Sequence, residues 1–224
     1  MRGKTKAVDN EPKHPTRYAL IDAQNTASTT QRMCGFVVDW TKLCAYLKDQ
    51  KRWGCQRIYL YSGVENGDTT LADEFVALHE KFGCSVRTKA VITYKNPDKT
   101  VQFRCSGCGE EAVKVVDMGY RRKSNCDVEL TADAMELAEA GMEFMIFTAD
   151  GDFEYLIHKL IARGCTVRVV SDPRSWVDSA GYSHGRFAKK LKDLARTYPN
   201  KVIIMDISRW RELIRKEIDA IETK

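Results

Sequence analysis

Short apolar runs alternate with amphipathic stretches along most of the chain. "RYALID" (17–22), "RIYLYS" (57–62), "SVRTKAVI" (85–92), "TVRVVS" (166–171) and "KVIIMDI" (201–207) read as strands rich in β-formers. "MEFMIFTA" (142–149) is apolar without interruption, as expected of a parallel strand covered on both faces. Between these runs the period changes to that of a helix. In "VDWTKLCAYLKDQ" (38–50), Trp40, Leu43, Cys44 and Leu47 make one stripe, with Asp39 placed as N-cap. "TLADEFVALHEKF" (70–82), "CDVELTADAMELAEA" (126–140) and "FEYLIHKLIAR" (153–163) are further helices, stopped by Gly83, Gly141 and Gly164. "RFAKKLKDLAR" (186–196) and a last helix from Ser208, striped by Trp210, Leu213, Ile214, Ile218 and Ile221, complete the set. Residues 142–171 form a βαβ unit. The alternation predicts an α/β fold, a parallel sheet in three layers with helices on both faces. Sheets of this kind bind ligands at the carboxyl ends of their strands.

Residues 93–118 break the rhythm. "KNPDK" is a turn, and "TVQFRCSGCGEEAVKVV" reads as a β-hairpin with a CxxCG at its tip, an insertion in the main domain. The expected organisation is a polar tail over 1–16, a domain over 17–172 carrying the insertion, and a C-terminal α/β extension over 173–224 packed on that domain. Composition changes this picture little. A hydrophobic share of 43% and a charged share of 30% are those of a soluble globular protein. No apolar stretch approaches membrane-spanning length, and no apolar segment follows the basic N-terminus as in a secretory signal. A cytoplasmic protein with reduced thiols is expected, since most of the eight cysteines fall inside apolar elements. The net charge of +5 permits a nucleic-acid partner without requiring one.

The acids are placed less evenly. Asp22 ends the first strand; Asp150 and Asp152 follow the 142–149 strand; Asp127 opens a helix after the basic "RRKSN". If those strands are neighbours, the acids share one rim. Two carboxylates about 5 Å apart at an effective dielectric of about 20 repel by roughly 3 kcal/mol, and a helix N-terminus offsets only about 0.3–1 kcal/mol per anion. Either some are protonated or a hard divalent cation sits among them. An all-oxygen set suits Mg²⁺ or Mn²⁺, a metal that can activate water against a phosphodiester. Any single Asp has a plainer reading as a helix cap, and Asp152 is placed to cap the helix 153–163. There is no P-loop, no dinucleotide fingerprint and no nucleophile elbow.

"LIDAQN", "CDVELTADAM" and "FTADGDFEYLIHKLIARGCTVRVVS", in that order and spacing, resemble the NYN domain family in its LabA-like bacterial form, over about residues 17–172. The resemblance implies a PIN-like (Rossmann-like) three-layer fold and a metal-dependent nuclease acting most often on RNA. Carried over by position, the metal-binding acids are Asp22, Asp127, Asp150 and Asp152, with Asn25 as a polar helper. Asp133 lies in the matched stretch, but six residues from Asp127 on a helix is about 240° around, which points it away from the same metal. The hairpin at 93–118 and everything after about 172 depart from the minimal family pattern.

Outside the acids, Arg121, Arg122 and Lys123 precede Asp127 and would hold the substrate backbone. Tyr94, Tyr120, Trp176 and Tyr182 are expected in loops, where they could stack on unpaired bases. Cys105 and Cys108 have zinc-knuckle spacing, but one pair supplies only half of a structural zinc site. The other half would come from Cys84, Cys126 or His184, or from a second copy in a homodimer; the alternative is a reduced tip without metal. Two other functions stay open: a nucleic-acid-binding or scaffolding module whose acids do not catalyse, and a nuclease for DNA.

Overall fold

The computed structural model describes residues 15–217 other than 66, 178, 181 and 182; for 69, 72, 122, 123, 176, 177, 183 and 184 it describes the backbone alone. Expectations for the tail up to residue 14, for Tyr182, Ile218 and Ile221, and for the side chains of Arg122, Lys123, Trp176 and His184 lie outside the described residues.

The chain runs β1 (Arg17–Asp22), α1 (Ala23–Met33), α2 (Trp40–Lys48), β2 (Arg57–Val64), α3 (Thr69–Phe82) and β3 (Ser85–Ala90). An excursion follows: β4 (Ile92–Lys95), β5 (Lys99–Arg104), β6 (Glu111–Val116) and β7 (Tyr120–Lys123). The fold resumes with α4 (Asp127–Leu137), β8 (Glu143–Phe147), α5 (Glu154–Ala162) and β9 (Thr166–Ser171). The two-residue strands β10 (Trp176–Val177) and β11 (Ser183–His184) lead to α6 (Lys189–Thr197), β12 (Val202–Asp206) and α7 (Arg211–Ile214).

Six strands form one parallel sheet in the order β12-β9-β8-β1-β2-β3. From β1 the chain winds outward through β2 to β3, then returns to the other side of β1 and winds outward through β8 and β9 to β12. The order therefore reverses at β1, and a reversal of this kind opens a crevice at the carboxyl ends of the strands. Leu20, Phe144, Ile146 and Val169 pack on α4, α5 and α6 through Leu130, Leu156, Leu160 and Leu191. Ile21, Leu60, Met145 and Phe147 face the other layer, with Leu43, Leu47, Phe75 and Trp210. This is the expected three-layer α/β architecture.

Several elements differ from expectation. Helix α1 has no apolar stripe in its sequence: Ala23, Thr26, Thr29 and Thr30 are its buried residues. It forms because Asp22 caps it, accepting from Asn25 N at 3.0 Å, and because small side chains let it lie close on the sheet. The basic stretch 120–123 is strand, not loop; β7 pairs antiparallel with β4, placing Tyr94 opposite Arg121 and Tyr120 opposite Lys95. Tyr94 and Tyr120 are thus exposed strand residues, and Trp176 also lies in a strand. The last helix among the described residues is one turn, 211–214, preceded by a 3-10 turn over 207–210. No helix among the described residues is long and apolar enough to cross a membrane.

Candidate active site

The carboxyl ends of β1, β2 and β8 open on a cleft of about 540 Å³. Asp22, Asp127 and Asp150, from three separate elements, all line it, together with Asn25. Each acid is held by the backbone that presents it. Asp22 ends β1 and caps α1. Asp150 caps the 3-10 turn 151–153 by accepting from Asp152 N at 3.0 Å, and its own N–H donates to Thr148 Oγ1 at 3.1 Å. Asp127 opens α4, its N–H donating to Asn125 Oδ1 while Asn125 Nδ2 donates to Asp127 Oδ2, both at 2.6 Å. Asn25 ties two of these elements together: its Oδ1 accepts from Ala149 N at 2.9 Å, fixing the end of β8 against α1.

The electrostatics show the strain of this grouping. The Asp22 carboxyl is pushed up to about 6, mainly by burial and further by the charges of Asp127 and Asp150; the N–H of Asn25 works in the opposite direction. A buried acid facing two other acids resists ionisation unless a positive charge joins it.

Asp152 stands apart. Its side chain is exposed and is not among the residues lining the cleft. It contributes a backbone N–H to Asp150 rather than capping the helix 153–163 with its carboxylate. Asp133 accepts from Tyr61 Oη at 2.9 Å and from Arg87 Nε at 3.1 Å, which makes it a brace between α4 and the sheet. Glu154 pairs with Lys190 at 3.4 Å. At the same rim, Asp172 is fully buried but satisfied: Arg174 donates to it from its backbone N at 2.9 Å and from Nη2 at 2.6 Å. Burial acts to raise its carboxyl, yet these bonds hold it below the usual range. A rim acid with its own guanidinium is structural.

Sequence reasoning missed two cations. Arg32 and Arg186 line the cleft, and Arg121 does not. Arg32 belongs to a stripe with Asn25 and Ser28 on α1, spaced i, i+3, i+7 along one helical face. That spacing was readable once 23–33 was recognised as helix. Arg186 precedes α6 and reaches the cleft only through the fold. Gly63 is a further element: a Cβ there would collide with Ser124 Oγ and Gln24 Nε2, so the glycine lets β2 and the 124–126 segment close on each other at the cleft wall.

The donor chemistry of the cleft, carboxylates with an amide, is that of a hard divalent cation's partners. Among the described residues, no group of three or more His, Cys, Asp or Glu is drawn close enough to hold a metal ion by itself. The same holds at the hairpin tip: Cys105 and Cys108 have no third partner among the described residues, and Cys84 and Cys126 are buried elsewhere, at Cys44 and Ser62.

The family description "NYN domain" matches residues 18–184. Low amplitude and bright protein LabA from Synechococcus elongatus is 24% identical to this chain over 204 residues, covering 90% of this chain and 89% of that protein. A crystal structure of a protein of unknown function from Vibrio parahaemolyticus is similar in fold, with a TM-score of 0.55 at 20% identity, covering 88% of this chain and 98% of that one. The family match begins at the first strand and takes in every acid of the cleft, and the chain accordingly belongs to the NYN domain family, a family of nuclease type.

Proposed function

We propose that this protein is a metal-dependent endoribonuclease whose centre is Asp22, Asp127 and Asp150. The observation that carries the reading is their meeting in one cleft, with the Asp22 carboxyl raised to about 6 by burial and by its two acidic neighbours. The three carboxylates would hold Mg²⁺ or Mn²⁺, which when bound supplies Lewis acidity to the scissile phosphate. The protein's own groups do the rest. Asn25 and the cap bonds keep the carboxylates in place. The carboxylates of Asp22 and Asp150, at the ends of adjacent strands, would orient the attacking water. Arg32 and Arg186, both lining the cleft, would neutralise phosphates of the substrate. Strand β7, carrying Arg121, Arg122 and Lys123, leads directly into the cleft-lining residues 124–126 and would continue the track for the substrate backbone.

The test is cleavage of labelled single-stranded RNA in the presence of Mn²⁺, compared with Asp150→Asn and with DNA of the same sequence. Cutting of RNA that Asp150→Asn abolishes is the expected outcome. Binding without cutting, unchanged by the substitution, would establish a non-catalytic nucleic-acid-binding or scaffolding module instead. Equal cutting of DNA would exclude recognition through the 2′-OH.

A further inference from the structure

The excursion between β3 and α4 is a two-stranded ribbon that leaves the edge of the sheet. Its inner part is β4 with β7 and its outer part β5 with β6. A two-stranded ribbon is marginally stable alone in water. On one face this one also leaves apolar side chains uncovered: Val101 is 37% exposed and Phe103 48% exposed. Val101 and Phe103 precede Cys105 at two-residue intervals, so in extended chain they lie on the face that carries Cys105.

The tip is a tight turn that carries both cysteines. Cys105 N donates to Glu110 O at 2.8 Å and Gly109 N to Cys105 O at 2.9 Å, with Gly109 at φ +76 closing the turn. Inside it, the backbone N–H groups of Cys108 and Gly107 are directed at the Cys105 sulfur. Two thiolates spaced by two residues, with N–H groups aimed at the first, are one half of a tetrahedral zinc site. Among the described residues, the chain has no third ligand for it. A two-fold axis supplies the missing half, because it brings the same pair from a second copy to the same point.

We propose that two copies of this chain join tip to tip and share one Zn²⁺ through Cys105 and Cys108 of each, with Val101 and Phe103 of the two arms packed beneath the metal. The four-thiolate site and the covered apolar face stabilise each other. Zinc orders the tips, and the packed arms hold the two pairs at ligand distance. The proposal is independent of the nuclease reading, since neither cysteine lines the acidic cleft.

The experiment uses the full chain purified under reducing conditions with zinc present. Metal content is read by mass spectrometry and molar mass by light scattering. One zinc per two chains and the mass of a dimer are expected. A strong chelator should release the zinc and yield monomers, and re-added zinc should restore the dimer. The double variant Cys105→Ser, Cys108→Ser should be a zinc-free monomer with an unchanged far-UV spectrum, and Phe103→Ser should weaken the dimer about tenfold. Should the cysteine variant fail to fold, chelation of the wild-type chain decides. Co²⁺ in place of Zn²⁺ should show the absorption of a tetrahedral four-thiolate complex. One zinc per chain, a dimer that survives chelation, a zinc-loaded monomer, or a Cys105–Cys108 disulfide without zinc would each overturn the proposal.

Discussion

The two ends of one sheet treat a carboxylate in opposite ways. At the amino-terminal ends of β8 and β1, Glu143 is buried, paired with Arg17 and with Arg168 Nε at 2.8 Å. Both guanidiniums stack over Trp53, with ring distances of 5.4 and 5.5 Å. Burial acts to raise the Glu143 carboxyl, but the two cations overcome it and hold it below the usual value. At the carboxyl ends of β1 and β8, Asp22 is also sheltered, yet its neighbours are Asp127 and Asp150, and its carboxyl rises to about 6. The lower end spends its charges on holding the strands together. The upper end sets Asp22 against two further carboxylates, and a cleft carboxyl raised by burial and like charge marks a candidate functional site.

The largest effect expected from breaking this contrast is at the lower end. Glu143→Ala leaves two sheltered guanidiniums unpaired and should cost about 3–5 kcal/mol in urea unfolding. At the upper end the corresponding change should be seen in activity. Asp22→Asn should lower RNA cleavage by roughly 10²–10³-fold, the scale of losing one preorganised electrostatic group, with the thermal midpoint unchanged or raised. An Asp22→Asn midpoint that falls as far as that of Glu143→Ala would show that Asp22 serves the fold instead.

Titration separates the two ends by sign. The folded value of Asp22 lies above its ordinary 3.8, so its contribution to stability is present below about 4 and is lost as pH rises through about 6. The ceiling is about 3 kcal/mol. Glu143, held below its ordinary 4.5, contributes above that pH and loses its contribution as pH falls through its folded value. Urea unfolding of wild type and Asp22→Asn between pH 4 and 7 should therefore diverge as pH rises, and Mn²⁺ should narrow the gap.

Smaller changes sharpen the map of the cleft. Arg32→Ala and Arg186→Ala should each weaken RNA binding by about tenfold or less and reduce the magnitude of the salt slope by about one. Asp152→Asn should alter cleavage by less than about twofold, because its exposed carboxylate lies outside the cleft. A loss equal to that of Asp150→Asn would place Asp152 in the reacting centre.

Periodicity alone determined the alternation of strands and helices, the caps at Asp39 and Gly83, and the places of Asp22 and Asp150 after strands; the order of the strands brought them to one rim with Asp127. The former are local consequences of side-chain spacing and of where parallel strands end. Helix α1 was illegible because small polar residues carry no hydrophobic period; its Asp22 cap and its place against the sheet make it a helix. Strand β7 was illegible because charge masked a ribbon whose register only its partner β4 reveals. The tertiary structure alone decided that Asp22 faces Asp127 and Asp150, that Asp152 turns outward, and that Arg32 and Arg186 enter the cleft. The physical reason is that a charge's role depends on which charges the fold brings beside it, and those come from parts of the chain far apart in sequence.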